Sequence, residues 1–174
     1  MKKWFWLAGA ISAVSLVSCA TPQKVSTEDA SYSETVNVSG MQKDELFNRI
    51  NMWCADTFKG PDANFNVPEK SRVVSANRDQ GLISANHTLI TNWANSGASA
   101  VVAIVYSGIS IYVSDGQYRL TCAAKDFQTY APIGGTTGYS KKFPFDGRLV
   151  NAARTSWQQL ADALRDTVSG TAAN

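Results

Sequence analysis

Cysteine and histidine are the side chains best able to act as nucleophile, metal ligand or proton carrier near neutral pH. This chain of 174 residues holds three cysteines and one histidine. Cys19 follows Leu16-Val17-Ser18 at the end of an uncharged run. Cys54 and Cys122 are far apart and match no zinc-ligand spacing. A hydrolase built on His87 would need a nucleophile and an orienting acid beside it. Ser75, Asp79 and Ser84 are near in sequence, but no Gly-x-Ser-x-Gly elbow occurs. Asp and Glu do not gather around His87, so no metal site is expected. The expectation for His87 is a strand side chain facing solvent or a loop. Gly134-Gly135-Thr136-Thr137-Gly138 lacks the Gly-Lys-Ser/Thr that a phosphate loop requires, so no cofactor is expected.

Cys19 gains meaning from what precedes it. Lys2 and Lys3 form a positive start, Trp4 to Val17 carries no charge, and Ser18 is a small residue before a cut. The apolar run of residues 4–17 is shorter than the roughly 20 residues a membrane-spanning helix needs. Leu16-Val17-Ser18-Cys19 resembles the lipobox of bacterial lipoproteins. There the thiol accepts diacylglycerol, and the signal is then cut on its N-terminal side. Several acyl chains, at about 0.8 kcal/mol per buried CH₂, anchor a protein stably. By the same resemblance, Ala20 rather than Asp after the cysteine implies the outer membrane, on either its periplasmic or its surface side. The expected organisation is a signal over residues 1–18, a lipidated cysteine with a flexible tether over 19–31, one domain over 32–168 and a disordered tail over 169–174.

Removing the signal takes 18 of 174 residues and leaves 156, enough for a single domain with a substantial core. It also takes Lys2 and Lys3 from the 16 basic residues, which leaves 14 against 14 acidic ones. The remainder is formally neutral. Without a basic run beyond Lys141-Lys142, nucleic acid is not an expected partner.

Two helices should position the core. Leu46, Phe47, Ile50, Trp53, Cys54 and Phe58 recur at helical spacing over about 43–58. Asp44 and Glu45 favour the first turn, although Gln42 is a poor cap. A second stripe, from Leu149 and Val150 to Leu164 and Val168, predicts a helix over about 148–168. Strands are expected at 32–38, 72–76, 82–90 and 101–113, then from Tyr118 onward, with Asp115-Gly116 as a hairpin turn. Gly108 could mark a bulge. Thr91 to Ser99 reads as a polar loop and Thr129 to Gly147 as a long irregular excursion. The predicted fold is α+β: an antiparallel sheet of about five strands, in the order β-α-β-β-β-β-α, with both helices on one face.

That frame sets the remaining candidates. Trp93, Tyr130 and Tyr139 fall in the predicted loops, where aromatic residues either anchor a partner or tuck into the core. Cys54 and Cys122 fall on inward faces of a helix and of the sheet. They could form a disulfide worth about 2–4 kcal/mol, or stand as two buried thiols acting as small hydrophobes.

The chain also resembles the domain-of-unknown-function family 4468, which has a TATA-binding-protein-like fold. Lys43-Asp44-Glu45-Leu46-Phe47 with Arg49, Trp53 and Phe58 carries the resemblance, together with Asp79-Gln80-Gly81-Leu82-Ile83 and Asp115-Gly116-Gln117-Tyr118-Arg119. It would cover about residues 33–168. Gln42 and the stretch 129–147 depart from the family pattern. The resemblance implies an exported or lipid-anchored envelope protein of Gram-negative bacteria, and no activity. The expected function is therefore a non-enzymatic domain, held to a membrane by lipid, that binds an envelope protein or surface ligand. An envelope hydrolase using His87 and a purely structural component are the alternatives.

Overall fold

A computed structural model of the protein describes residues 29–60, 71–96, 99–133, 136–142 and 147–170, by backbone alone at 92–96, 99–102, 128–133 and 136–142. The expected signal, Cys19 and most of the expected tether lie outside the described residues. The elements are β1 (Ser31–Asn37), α1 (Lys43–Thr57), β2 (Arg72–Asn77), β3 (Leu82–Ser96), β4 (Ser99–Ser114), β5 (Gln117–Ile133), β6 (Thr136–Lys142) and α2 (Gly147–Ser169). Every strand pairing is antiparallel, in the order β1-β5-β4-β3-β2, and β6 adds to β5. The predicted five-strand path with two helices is present, and β6 is an addition to it.

Two predicted loops are strand. β3 runs on to Ser96, through residues expected to be loop, and β4 begins at Ser99. β5 continues to Ile133, and β6 occupies part of the expected excursion. The reason is pairing: polar Thr91 and Asn92 sit opposite Ala103 and Val102, and ladder bonding outweighs the weak strand propensity of Asn92. At the other end, Ala30 is fully buried, so the fold reaches into the segment expected to be tether.

The strand alternation predicts the core. Ile83 and Ala85 of β3, Ile109, Ile111 and Val113 of β4, and Tyr118, Leu120 and Cys122 of β5 form one buried face with the apolar stripes of α1 and α2. Trp157 of α2, fully buried, donates its Nε1–H to Ser107 Oγ at 3.1 Å. A polar residue in this face is thereby matched rather than left unpaired.

The bulge expected at Gly108 is instead on the neighbouring strand. Tyr106 pairs Asp126 and Ser107 pairs Ala124, so Lys125 is the extra residue. The insertion shifts the inward positions of β5 from Ala124 to Phe127, which is why one strand can serve the core on both sides of the bulge. It falls between the two partners of one β5 edge, since β1 pairs residues up to Ala123 and β6 begins at Gln128.

Two hairpin turns converge on the start of α1. Gln42 provides no side-chain cap. Asp115, from the β4–β5 turn, instead accepts the Lys43 N–H at 2.9 Å, and Lys43 Nζ donates to Asp79 O at 2.8 Å. Gly81 has φ +66, and a Cβ there would stand 2.2 Å from Val113 O, so only glycine fits. Among the described residues no helix is long and apolar enough to cross a membrane.

Candidate functional site

His87 points the opposite way from the expectation. Its β4 partner is Ser107, which places it on the helix-covered face. Its ring lies edge-on to Phe58 with centroids 5.9 Å apart, and Phe58 in turn meets Trp53 at 5.7 Å. Both ring nitrogens are buried and, among the described residues, have no hydrogen-bond partner. Burial lowers the pKa of the imidazole from its ordinary 6.5. The hydroxyls near it in sequence do not join it: Ser84 is one residue out of phase along β3, on the other face, and Ser75 pairs Ser84. Ser107 shares the face, but its oxygen accepts from Trp157. Among the described residues no nucleophile is hydrogen-bonded to His87.

The remaining sequence candidates separate. Cys54 and Cys122 are both fully buried on the inward faces expected for them. They are free thiols, and the disulfide alternative is not formed in this structure. Burial pushes each thiol up to about 12, which leaves both protonated and unreactive. Trp93 is not in a loop; it is the unpaired residue of a bulge in β3, between Asn92 and Ala94. Tyr130 and Tyr139 are strand residues too, directly opposite one another across β5 and β6. Among the described residues, no group of His, Cys, Asp and Glu could hold a metal ion.

A charged cluster not expected from the sequence fastens α2 to β1. Tyr32 donates its hydroxyl to Glu34 Oε2 at 2.6 Å, and Arg165 donates to Glu34 Oε1 and, at 2.9 Å, to Asp162 Oδ1. The Tyr32 hydrogen bond, then Arg165, hold Glu34 below the usual carboxylate range against the effect of burial. Burial and the bond to Glu34 push Tyr32 up to about 12. A low carboxylate and a high phenol are poor proton carriers at neutral pH. The arrangement is a clamp between elements 131 residues apart in the chain.

The other face of the sheet is the chemically distinctive surface. Register aligns Ser33 with Thr121, Thr121 with Ser110, Ser110 with Ser84, and Ser84 with Ser75. A row of hydroxyls therefore crosses β1, β5, β4, β3 and β2 in one line, and Ser33, Ser75 and Ser110 within it are exposed. Arg119 and half-exposed Tyr112 stand opposite one another on one side of the row. On the other side Lys125 lies over Gly108 and donates to Asn86 Oδ1 at 2.8 Å. The sequence contained half of this signal, because Arg119, Thr121, Ala123 and Lys125 alternate on the outward side of β5. Which residues of other strands would line up with them is set by register alone. Further along the same face the surface closes, with Ile104 and Tyr106 buried.

Known proteins resemble this one in architecture. The family described as "Domain of unknown function (DUF4468) with TBP-like fold" matches residues 32–128, more than half of the chain. The match stops short of the C-terminal limit of 168 expected from the sequence, before β6 and α2. No curated protein matches. A crystal structure of a DUF4468 family protein from Bacteroides ovatus aligns at TM-score 0.53 and 15% identity, over 77% of this chain and 85% of that one. A TBP-like protein from Parabacteroides distasonis aligns at TM-score 0.55 and 18% identity, over 79% of this chain and 91% of that one. At such identities the likeness extends to the fold and no further. The matched span holds α1, both hairpin turns and the sheet order that results from them, and on that ground the chain belongs to the DUF4468 family of unknown function.

Proposed function

We propose that this protein is a lipid-anchored component of the outer membrane whose domain binds a partner rather than catalysing a reaction. The observation that carries the binding reading is the division of the sheet. The only histidine of the sequence is turned toward the helix-covered face, with no nucleophile among the described residues bonded to it, while exposed polar groups align on the opposite face. Lipid anchorage is supported by the sequence: the uncharged run of residues 4–17 leads into Leu16-Val17-Ser18-Cys19. The partners of this reading are the membrane, through the lipid, and an envelope protein or surface ligand.

Cys19→Ser tests the anchor. The wild-type chain should partition into detergent and the variant into the aqueous phase; equal partitioning would refute lipidation. His87→Ala tests the absence of catalysis. A variant that folds and still crosslinks to its partners in intact cells fits the binding reading, whereas loss of its cellular role with folding intact favours a hydrolase.

A further inference from the structure

We propose that the exposed polar row on the sheet face opposite the helices is a docking surface for an anionic polysaccharide, which lies across the strands from Ser33 to Ser75. This rests on the binding reading above and specifies its ligand.

The shape of the face comes first. Neighbouring strands are about 4.8 Å apart, so a row crossing β1 to β2 spans about 19 Å. The next row along the strands contains Ala123 and Gly108, and the Lys125 side chain fills the space above Gly108, its Cε 2.7 Å from where a Cβ there would stand. Larger groups stand to either side. Arg119 and Tyr112 are two residues away on β5 and β4, and Lys125 is the bulge residue on the other flank. Arg72 lies opposite Asn86, the residue that holds the Lys125 ammonium. The result is a shallow trough with hydroxyls along its base.

Charge narrows the ligand. Arg72, Arg119 and Lys125 are exposed, and among the described residues none of them has a carboxylate partner. Among the described strand residues, the acid that register places on this face is Asp126, whose Oδ1 accepts the Phe127 N–H at 2.9 Å. Because the chain after the expected signal is formally neutral, this excess of cations belongs to the face and not to the protein at large.

The chemistry favours a glycan over other polyanions. Serine and threonine hydroxyls both donate and accept, which suits a ligand whose own groups are hydroxyls. The ring of Tyr112, 55% exposed, offers an apolar surface beside them. Duplex nucleic acid carries a charge about every 1.7 Å and calls for denser cations than these. An acidic peptide adding to a sheet needs free backbone groups, and the β3, β4 and β5 ladders already use those beneath the row.

The test is calorimetric titration of the full-length chain in detergent with polygalacturonate, at 50 and 200 mM NaCl. Dextran and polyglutamate in the same detergent, and phosphatidylglycerol vesicles for the chain freed of detergent, serve as comparison probes. The expected result is binding of polygalacturonate that weakens with salt. Arg119→Glu with Lys125→Glu should raise Kd about tenfold or more, and Ser110→Ala about threefold. Thermal unfolding of these surface variants should match wild type. Equal binding of dextran, tighter binding of polyglutamate or of vesicles, wild-type affinity in the double charge variant, or silence toward polygalacturonate would each overturn the proposal. Crosslinking in intact cells separates the two levels. A captured partner with polygalacturonate silent removes the glycan and leaves the binding reading in place; silence in both removes both.

Discussion

On the helix side of the sheet, Ile83, Ile109, Ile111 and Leu120 are at most 2% exposed. Their chain neighbours Ser84, Ser110 and Arg119 belong to the other face, where Ser110 and Arg119 stand in solvent. One set of strands therefore supplies two surfaces with different physics. Burial of the first face stabilises the fold in proportion to apolar area removed from water. The exposed polar row of the second face buries little apolar area, so its residues can vary with little effect on folding, unlike Ile104 and Tyr106 further along the same face, which are buried. That freedom is what a recognition surface requires. The polar exceptions on the covered face show the constraint from the other direction. Ser107 is matched by Trp157, while burial disfavours the charged form of His87 and lowers its pKa.

The sharpest way to break this contrast is at the centre of the covered face. Trp157→Ala should destabilise the protein by about 3–5 kcal/mol, through a large cavity and the loss of the donor to Ser107. A urea midpoint close to wild type would show that α2 does not close the core as described. A pair of adjacent substitutions gives the next largest effect. Ile109→Ala should cost about 2–5 kcal/mol, and Ser110→Ala, one residue along β4, should stay within about 0.5 kcal/mol. Comparable losses in the two variants would contradict the division of faces.

A smaller effect is expected from pH. The folded state holds His87 neutral below its ordinary 6.5, whereas the unfolded chain takes up the proton there. More protons are then bound by the unfolded state, so stability falls as pH drops below about 6.5 and levels off once the folded histidine also titrates. Glu34 adds a loss of the same sign at lower pH, because its folded pKa lies below its ordinary 4.5. Urea midpoints measured from pH 7.5 down to 5 should decline in wild type and stay flatter in His87→Leu. An identical slope in the variant would remove His87 as the cause.

Much of the architecture was legible in the sequence. The α1 stripe from Leu46 to Phe58 and the α2 stripe from Leu149 to Val168 both predicted their buried faces, and Asp115-Gly116 predicted its hairpin. These signals are local: each depends on the side-chain period of one element or on the backbone freedom of one turn. Where the fold was misread, a distant partner was the cause. Trp93 and the residues after Thr129 look like loop in isolation and become strand when β4, β5 and β6 pair with them. Gln42 looks like an uncapped helix start until Asp115 arrives from the far hairpin.

The candidate site divides in the same way. By itself the sequence determined that Thr121 and Arg119 lie on the outward side of a strand, because alternation requires it. It also contained the run Leu16-Val17-Ser18-Cys19, and the proposal of lipid anchorage rests on that run and on no element of the fold. Tertiary structure alone decided that Ser33, Thr121, Ser110, Ser84 and Ser75 share one line. It alone placed the Lys125 bulge beside that line, and turned His87 inward. Register has period two, so a slip of one residue would exchange the two faces of a strand. What holds each strand in place is the packing of α1 and α2 on the covered side and the turns at Gly81 and Gly116, contacts that no stretch of sequence contains alone.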